Sequence, residues 1–225
     1  MKKTIIVILF SLAMPLTSFA QINYGVVVAG GTSKMETAHS HENWGELLSG
    51  GLFLRYSDKN NLVYETGIYY NYRNLKLDRF SKEYVTDVDW IRYHINDLKI
   101  PLAIGTKINS GIFTKLNLII QGGMFFSYGI SGDASIWNIN SSGLTVFNTT
   151  ERIFNKSEYT KDNQLFVYYP LKRFDTGILL KAGLKYQQFY FSLNSETGLV
   201  NLNSYYDSKI RSSSLYLSIA YNFAK

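Results

Sequence analysis

The chain has 225 residues, 23 Lys and Arg against 17 Asp and Glu, a formal charge of +6, and no cysteine. That mild excess is not the concentrated positive charge a nucleic-acid binder needs, and the absence of thiols excludes disulfide and cysteine chemistry. With 18 Tyr and 14 Phe beside 18% charged residues, the composition favours strands and large apolar surfaces.

The first element is a predicted secretion signal over residues 1–20. Lys2 and Lys3 precede an apolar stretch from Ile5 to Leu16, and "TSFAQ" supplies the small residues Ser18 and Ala20 where a peptidase cuts. The apolar run is shorter than the ~20 residues a spanning helix needs. Residues 21–225 are then one domain, and removal of the two signal lysines lowers the charge to +4.

Beyond the signal, the chain alternates apolar and polar residues with a period of two. Strand-like segments are predicted at 22–34, 47–57, 62–74, 95–108, 113–130, 174–187, 188–201 and 212–224. Each has about the 9 to 11 residues that a tilted strand needs to cross a bilayer, or a little more. Their connections alternate between short ("SDKNN" 57–61, "NSGI" 109–112, Gln187 and Gln188) and long (35–46, 75–94, 131–173, 202–211). Short turns on one rim and long loops on the other are the pattern of an outer-membrane barrel.

One face of these segments carries Leu52, Leu54, Ile68, Ile100, Leu102, Phe126, Leu180, Phe191, Leu217 and Ile219. The other carries Arg55, Glu65, Arg73, Lys99, Lys107, Gln121, Lys181 and Lys185, with glycines between them. A soluble barrel such as a lipocalin would turn the apolar face inward. A small barrel interior holds about three layers of four side chains, and the apolar set is several times too large and too aromatic for that. The prediction is therefore an all-β, eight-stranded antiparallel transmembrane barrel with lipid on the side of Ile100 and Leu102 and a polar lumen on the side of Lys99 and Lys107. Pro101 cannot donate to a ladder, so a bulge or distorted pairing is expected there.

The motifs "GELLSGGLFLRY" (45–56), "LVYETGIYYNYR" (62–73), "DLKIPLAIGTK" (97–107), "FDTGILLKAGLKY" (174–186), "SETGLVNL" (195–202) and "LYLSIAYNF" (215–223) occur in the order found in the PorT-like outer-membrane β-barrel domain, which the mature chain resembles over its length. The resemblance implies an outer-membrane barrel and little chemistry. The family often has an arginine and a tyrosine before the glycine of its penultimate strand end. Here those positions hold Asn194 and Ser195, so an arginine partner for Glu65 does not carry over to that strand.

The polar lumen residues Arg55, Glu65, Arg73, Lys99, Lys107, Gln121, Lys181 and Lys185 have two readings. They form either an anion-attracting basic lumen or a plug of salt bridges that satisfies buried polar groups, eight strands leaving no open pore. "HSHE" (39–42) places two histidines near Glu42 in a long loop, where solvated polar residues are the simpler expectation than a metal site. No distinctive serine context accompanies His94 for a hydrolase. Neither enzyme activity nor a cofactor is expected.

The long loop 131–173 carries Trp137, Phe147, Phe154, Tyr159, Phe166, Tyr168 and Tyr169. These rings either bind a partner or pack on one another. "GLTVFNT" and "QLFVYYPL" either extend strands five and six or add a hairpin, which leaves ten strands open. The expected function is that of an envelope component, in contact with outer-membrane lipid and working through its loops as an accessory of secretion or surface assembly. The alternative is a small-solute transport or ligand-binding barrel using the basic lumen.

Overall fold

A computed structural model describes residues 21–37, 41–78, 90–109, 116–139, 145–154, 158–161, 164–167, 171–203 and 209–223. The expected signal lies outside them. The described strands are β1 (Gln21–Thr37), β2 (His41–Ser57), β3 (Leu62–Asp78), β4 (Trp90–Asn109), β5 (Leu116–Ile139), β6 (Thr145–Arg152), β7 (Glu158–Lys161), β8 (Gln164–Val167), β9 (Phe174–Tyr186), β10 (Phe189–Gly198) and β11 (Ile210–Asn222).

Eight of them form a closed antiparallel wall in the order β1, β2, β3, β4, β5, β9, β10, β11, with β11 returning to β1. Closure runs from Gly25 opposite Asn222 to Thr37 opposite Ile210, so no edge of the wall is left unpaired. The wall has eight strands and not ten: β6 pairs with the upper part of β5, and β7 pairs with β8.

The short-turn rim is built by local chemistry. Between β2 and β3, Asp58 Oδ1 accepts the Lys59 N–H at 2.7 Å and Asn61 takes a φ of 63°, a left-handed conformation that Asn tolerates. Between β9 and β10, Gln187 has a φ of 54° and the Gln188 carbonyl accepts from the Asn222 backbone N–H at 2.8 Å. Two inward glycines let the wall coil. A Cβ on Gly51 would lie 2.6 Å from the Tyr69 ring, and one on Gly177 2.7 Å from the Phe125 ring. Each ring covers the bare backbone of the neighbouring strand.

Pro101 disturbs pairing without a bulge. Its register with β5 is unbroken, opposite Phe125, whereas the β3 ladder skips from Thr66 and Leu102 to Tyr69 and Lys99 in the same register. That skip follows from the missing N–H. The irregularity of β4 and β5 lies elsewhere, between Asn96 and Asp97, where β5 carries one extra residue.

Over most of the wall the outer face is apolar: Leu52 is 62% exposed, Leu180 60% and Leu217 65%. Surface of this kind and extent belongs in lipid rather than water. Toward the long-loop rim the pattern inverts. On β4, Leu98, Ile100, Leu102 and Ile104 point out, but three residues further up Tyr93 and Ile95 are buried while His94 and Asn96 face outward.

The same switch occurs between Leu48 and Glu46 on β2, Tyr70 and Asn74 on β3, and Leu215 and Ser213 on β11. Glu46 is registered opposite both Thr32 and Asn74, so the switch is a level around the barrel rather than a feature of one strand. Above it Met35, Leu75, Tyr93, Ile95, Ala134, Ile153, Leu171, Leu202 and Ile210 form a buried apolar cap across the lumen.

Candidate functional site

The lumen below the cap is an ion-pair network. Glu65, on β3, accepts from Arg55 of the adjacent β2 through Nε at 2.9 Å and Nη2 at 2.6 Å, and from Lys181 Nζ of β9 at 2.5 Å. Lys99 of β4 reaches Glu196 of β10 at 2.7 Å and the Tyr216 hydroxyl of β11 at 3.2 Å, while Tyr216 itself donates to Glu196. Higher up, Arg73 pairs with Asp97 at 2.7 Å, and Asn71 and Ser127 each donate to that carboxylate at 2.7 Å. Ser212 donates to Asp175 at 2.5 Å.

Aromatic rings line the cations. The Arg55 guanidinium lies 4.1 Å from the centre of the Tyr190 ring, and Lys99 lies 4.8 Å from that of Tyr216. Such contacts stabilise a desolvated cation where water is scarce. Interleaved with this layer, Val27, Phe53, Val63, Tyr69, Ile119, Tyr190 and Ala220 form a second apolar cluster.

Among the described residues the buried cations are Arg55, Arg73, Lys99 and Lys181, and the buried carboxylates are Glu65, Asp97, Asp175 and Glu196. Four charges of each sign cancel, so the buried lumen is not basic. The free space between these described residues is correspondingly small. A cavity of about 20 Å³ lies between Glu65, Lys99, Lys181 and Tyr216, and one of about 10 Å³ beside Asp97 and Glu196. Each has room for about one water molecule.

Of the lumen residues expected from sequence, Arg55, Glu65, Arg73, Lys99 and Lys181 join the network. Gln121 is buried, but neither its amide nitrogen nor its oxygen has a hydrogen-bond partner among the described residues. Lys107 and Lys185 stand apart, half-buried near the short-turn rim. Beside the glycines and polar groups expected in the lumen, two apolar clusters share it. Asp97 and Asp175 were missed, although both share the inward parity of Lys99 and Lys181.

Glu65 does have an arginine, supplied by the neighbouring β2 rather than by β10. Asn194, at the β10 position where the family resemblance led one to look, instead donates to Ser218 at 3.1 Å.

Of the aromatic residues of the long loop, one has its packing described. Phe154 packs against the cap, with the Arg173 guanidinium 4.6 Å from its ring centre, so it is a structural residue and not a free tip. Trp137 and Phe147 lie on paired strands β5 and β6, and Tyr159 and Phe166 are registered opposite each other in the β7–β8 hairpin. Tyr168 and Tyr169 lie outside the described residues, as does His39 of the "HSHE" stretch. Among the described residues no three acidic or histidine side chains cluster to hold a metal.

No protein-family model matches the chain, and no curated protein does. Solved structures do resemble it. Ail of Yersinia pestis, in complex with the heparin analogue sucrose octasulfate, is 13% identical, with 90% of this chain and 99% of that chain covered and a TM-score of 0.41. Neisserial surface protein A is 10% identical, with 92% and 100% covered and a TM-score of 0.44. The N-terminal β-barrel domain of Pseudomonas aeruginosa OprF is 12% identical, with 89% and 99% covered and a TM-score of 0.32. Likeness at this level gives no information on ligands or partners.

Proposed function

We propose that this protein is an integral outer-membrane barrel without enzymatic activity that does not conduct solutes and acts through what it presents above the membrane. The observation that carries this reading is the lumen: among the described residues, four buried cations balanced by four buried carboxylates, closed above by an apolar cap. An uncapped basic channel would suit anion passage. A neutral, packed interior suits a scaffold. The apolar outer wall supplies the membrane location, and the order of motifs shared with the PorT-like domain agrees with it.

What the scaffold presents is a sheet. The upper halves of β4 and β5, together with β6, rise past the level at which the outer face turns polar, and β7 and β8 add a hairpin within the same connection. Loops and strand edges held on a rigid barrel are the usual place for recognition. The partner class is another envelope protein of a secretion or surface-assembly system.

The test is affinity purification of the tagged protein from mildly solubilised outer membranes, with mass spectrometry of its companions, beside a variant lacking residues 155–170. That deletion keeps Ile153 and Leu171, which the cap needs. A reproducible set of envelope proteins that disappears with the deletion supports the reading. A barrel that comes out alone, or one that shows large, long-lived conductance in planar bilayers, overturns it.

A further inference from the structure

A second site lies outside the lumen, at the level where the outer face turns from apolar to polar. A cavity of about 390 Å³ is lined by Ile130, Ser131, Gly132, Asp133, Arg152, Phe154 and Arg173. It is far larger than the lumen voids. Just below it on the outer face stand Tyr128, Ile130 and Phe174, about half exposed, as residues in contact with lipid are. Beside it a polar belt begins: Tyr70 donates to Asn96 at 2.9 Å, Asn96 donates to Ser131 at 3.1 Å, and Tyr72 meets His94 Nδ1 at 3.1 Å.

The two arginines are set up differently. Arg173 is held in place: its Nη1 donates to the Gly129 and Ile130 carbonyls at 2.9 and 3.0 Å, and its guanidinium lies 4.6 Å from the Phe154 ring centre. This commits one nitrogen of a five-donor fork and fixes its plane. Arg152 is exposed, and although it is registered opposite Asp133 the two form no ion pair among the described residues. A fixed guanidinium and a free one beside an apolar floor make a cleft for a tetrahedral anion attached to something hydrophobic.

We infer that this pocket binds a phosphate group carried by a lipid of the outer leaflet, with Arg173 as the fixed anchor and Arg152 closing on the phosphate from the other side. Asp133 opposes the charge and limits the affinity. The lipid's acyl chains lie along Tyr128, Ile130 and Phe174. This rests on the barrel being embedded in the outer membrane. A free phosphate offers the same chemistry without the chains, so the test separates the two.

The experiment is native mass spectrometry of the delipidated full-length barrel in detergent, titrated with diphosphorylated lipid A, dephosphorylated lipid A and inorganic phosphate. Shifted migration of the unheated protein on gels verifies that each variant is folded. The expected result is one retained diphosphorylated lipid, bound about tenfold more weakly by Arg152→Gln and more tightly by Asp133→Asn, with inorganic phosphate failing to displace it. Equal retention of the dephosphorylated form, or equal retention by wild type and Arg152→Gln, overturns the site. Displacement by inorganic phosphate overturns the lipid source. A chain that does not fold in detergent would instead count against the membrane reading itself.

Discussion

The barrel is two structures on one set of strands. In the lower part, apolar residues face out and charged residues face in; in the upper part, above Leu48, Tyr70, Leu98 and Leu215, the arrangement is that of a soluble barrel with an apolar interior and a polar surface. The strands and their parity are continuous across the switch on β1, β3, β4 and β11, while β2 carries one extra residue just above it, between Asn43 and Glu46. What changes is the solvent. Lipid outside leaves the lumen as the place for polar side chains, and water outside makes the lumen the place for apolar ones.

The largest effect should come from breaking the lower interior. Glu65→Ala leaves Arg55 and Lys181 buried without their shared carboxylate, at a cost of about 3–5 kcal/mol. Urea unfolding in detergent micelles measures it, and adding Lys181→Met should recover part of the loss because one unpaired cation is removed. If Glu65→Ala unfolds at the wild-type midpoint, the ion pairs are not holding the lumen.

Breaking the upper interior is next. Leu75→Ala in the cap should cost about 2–5 kcal/mol, by lost transfer energy and the cavity left behind. Its loss should be local. Hydrogen exchange should quicken in the upper halves of β3 and β4, while amides around Ile100 and Leu102 stay protected. Uniform quickening along both strands would mean that the two parts do not open separately.

The outer face gives the sharpest form of the comparison, because one substitution can be made in both regions. Leu102→Arg puts a charge against mid-membrane lipid and should cost about 2–4 kcal/mol. Thr32→Arg, at an exposed outward position above the switch, should stay within about 0.5 kcal/mol. Similar costs at both sites would remove the distinction between a lipid-facing and a water-facing wall.

The inversion also explains how far the fold can be read from the chain. Parity identifies the eight barrel strands, and the size of the apolar set, Leu98, Ile100, Leu102 and Ile104 among it, decides that this face points to lipid, because a small barrel interior cannot hold it. The predicted strands stop near residues 34, 74, 95 and 130, yet β1 runs to Thr37, β3 to Asp78, β4 from Trp90 and β5 to Ile139. On β1, β3 and β4 they stop because the alternation changes sign without changing period, and on β5 because the extra residue at Ile130 breaks the period itself. A strand leaving the membrane resembles a loop when only lipid-facing parity is sought.

Asp97 and Asp175 share the lumen parity and were legible in principle. The pairing of Glu65 with Lys181 was not, because those residues lie 116 positions apart and meet only through the register of the closed wall. The outer pocket was hidden for the same reason. Arg152 and Arg173 come together through the pairing of β6 with β5 and the packing of Phe154 on the cap, neither of which has a sequence period.

The smallest effect separates the two readings of the lysines. Lys107 and Lys185 share a parity with Lys99 and Lys181 but lie near the short-turn rim, half-buried rather than enclosed. Changing both to Gln removes charge from half-buried positions, so the stability change should stay within about 0.5 kcal/mol per site. Bilayer conductance should stay at the baseline of the wild type, because the blockade lies higher, at the ion pairs and the cap. A barrel that recruits anions through a basic lumen predicts the opposite: an open wild-type current that falls when the rim lysines go. The same pair of residues therefore tests whether position in the wall or charge alone decides what a lumen lysine does.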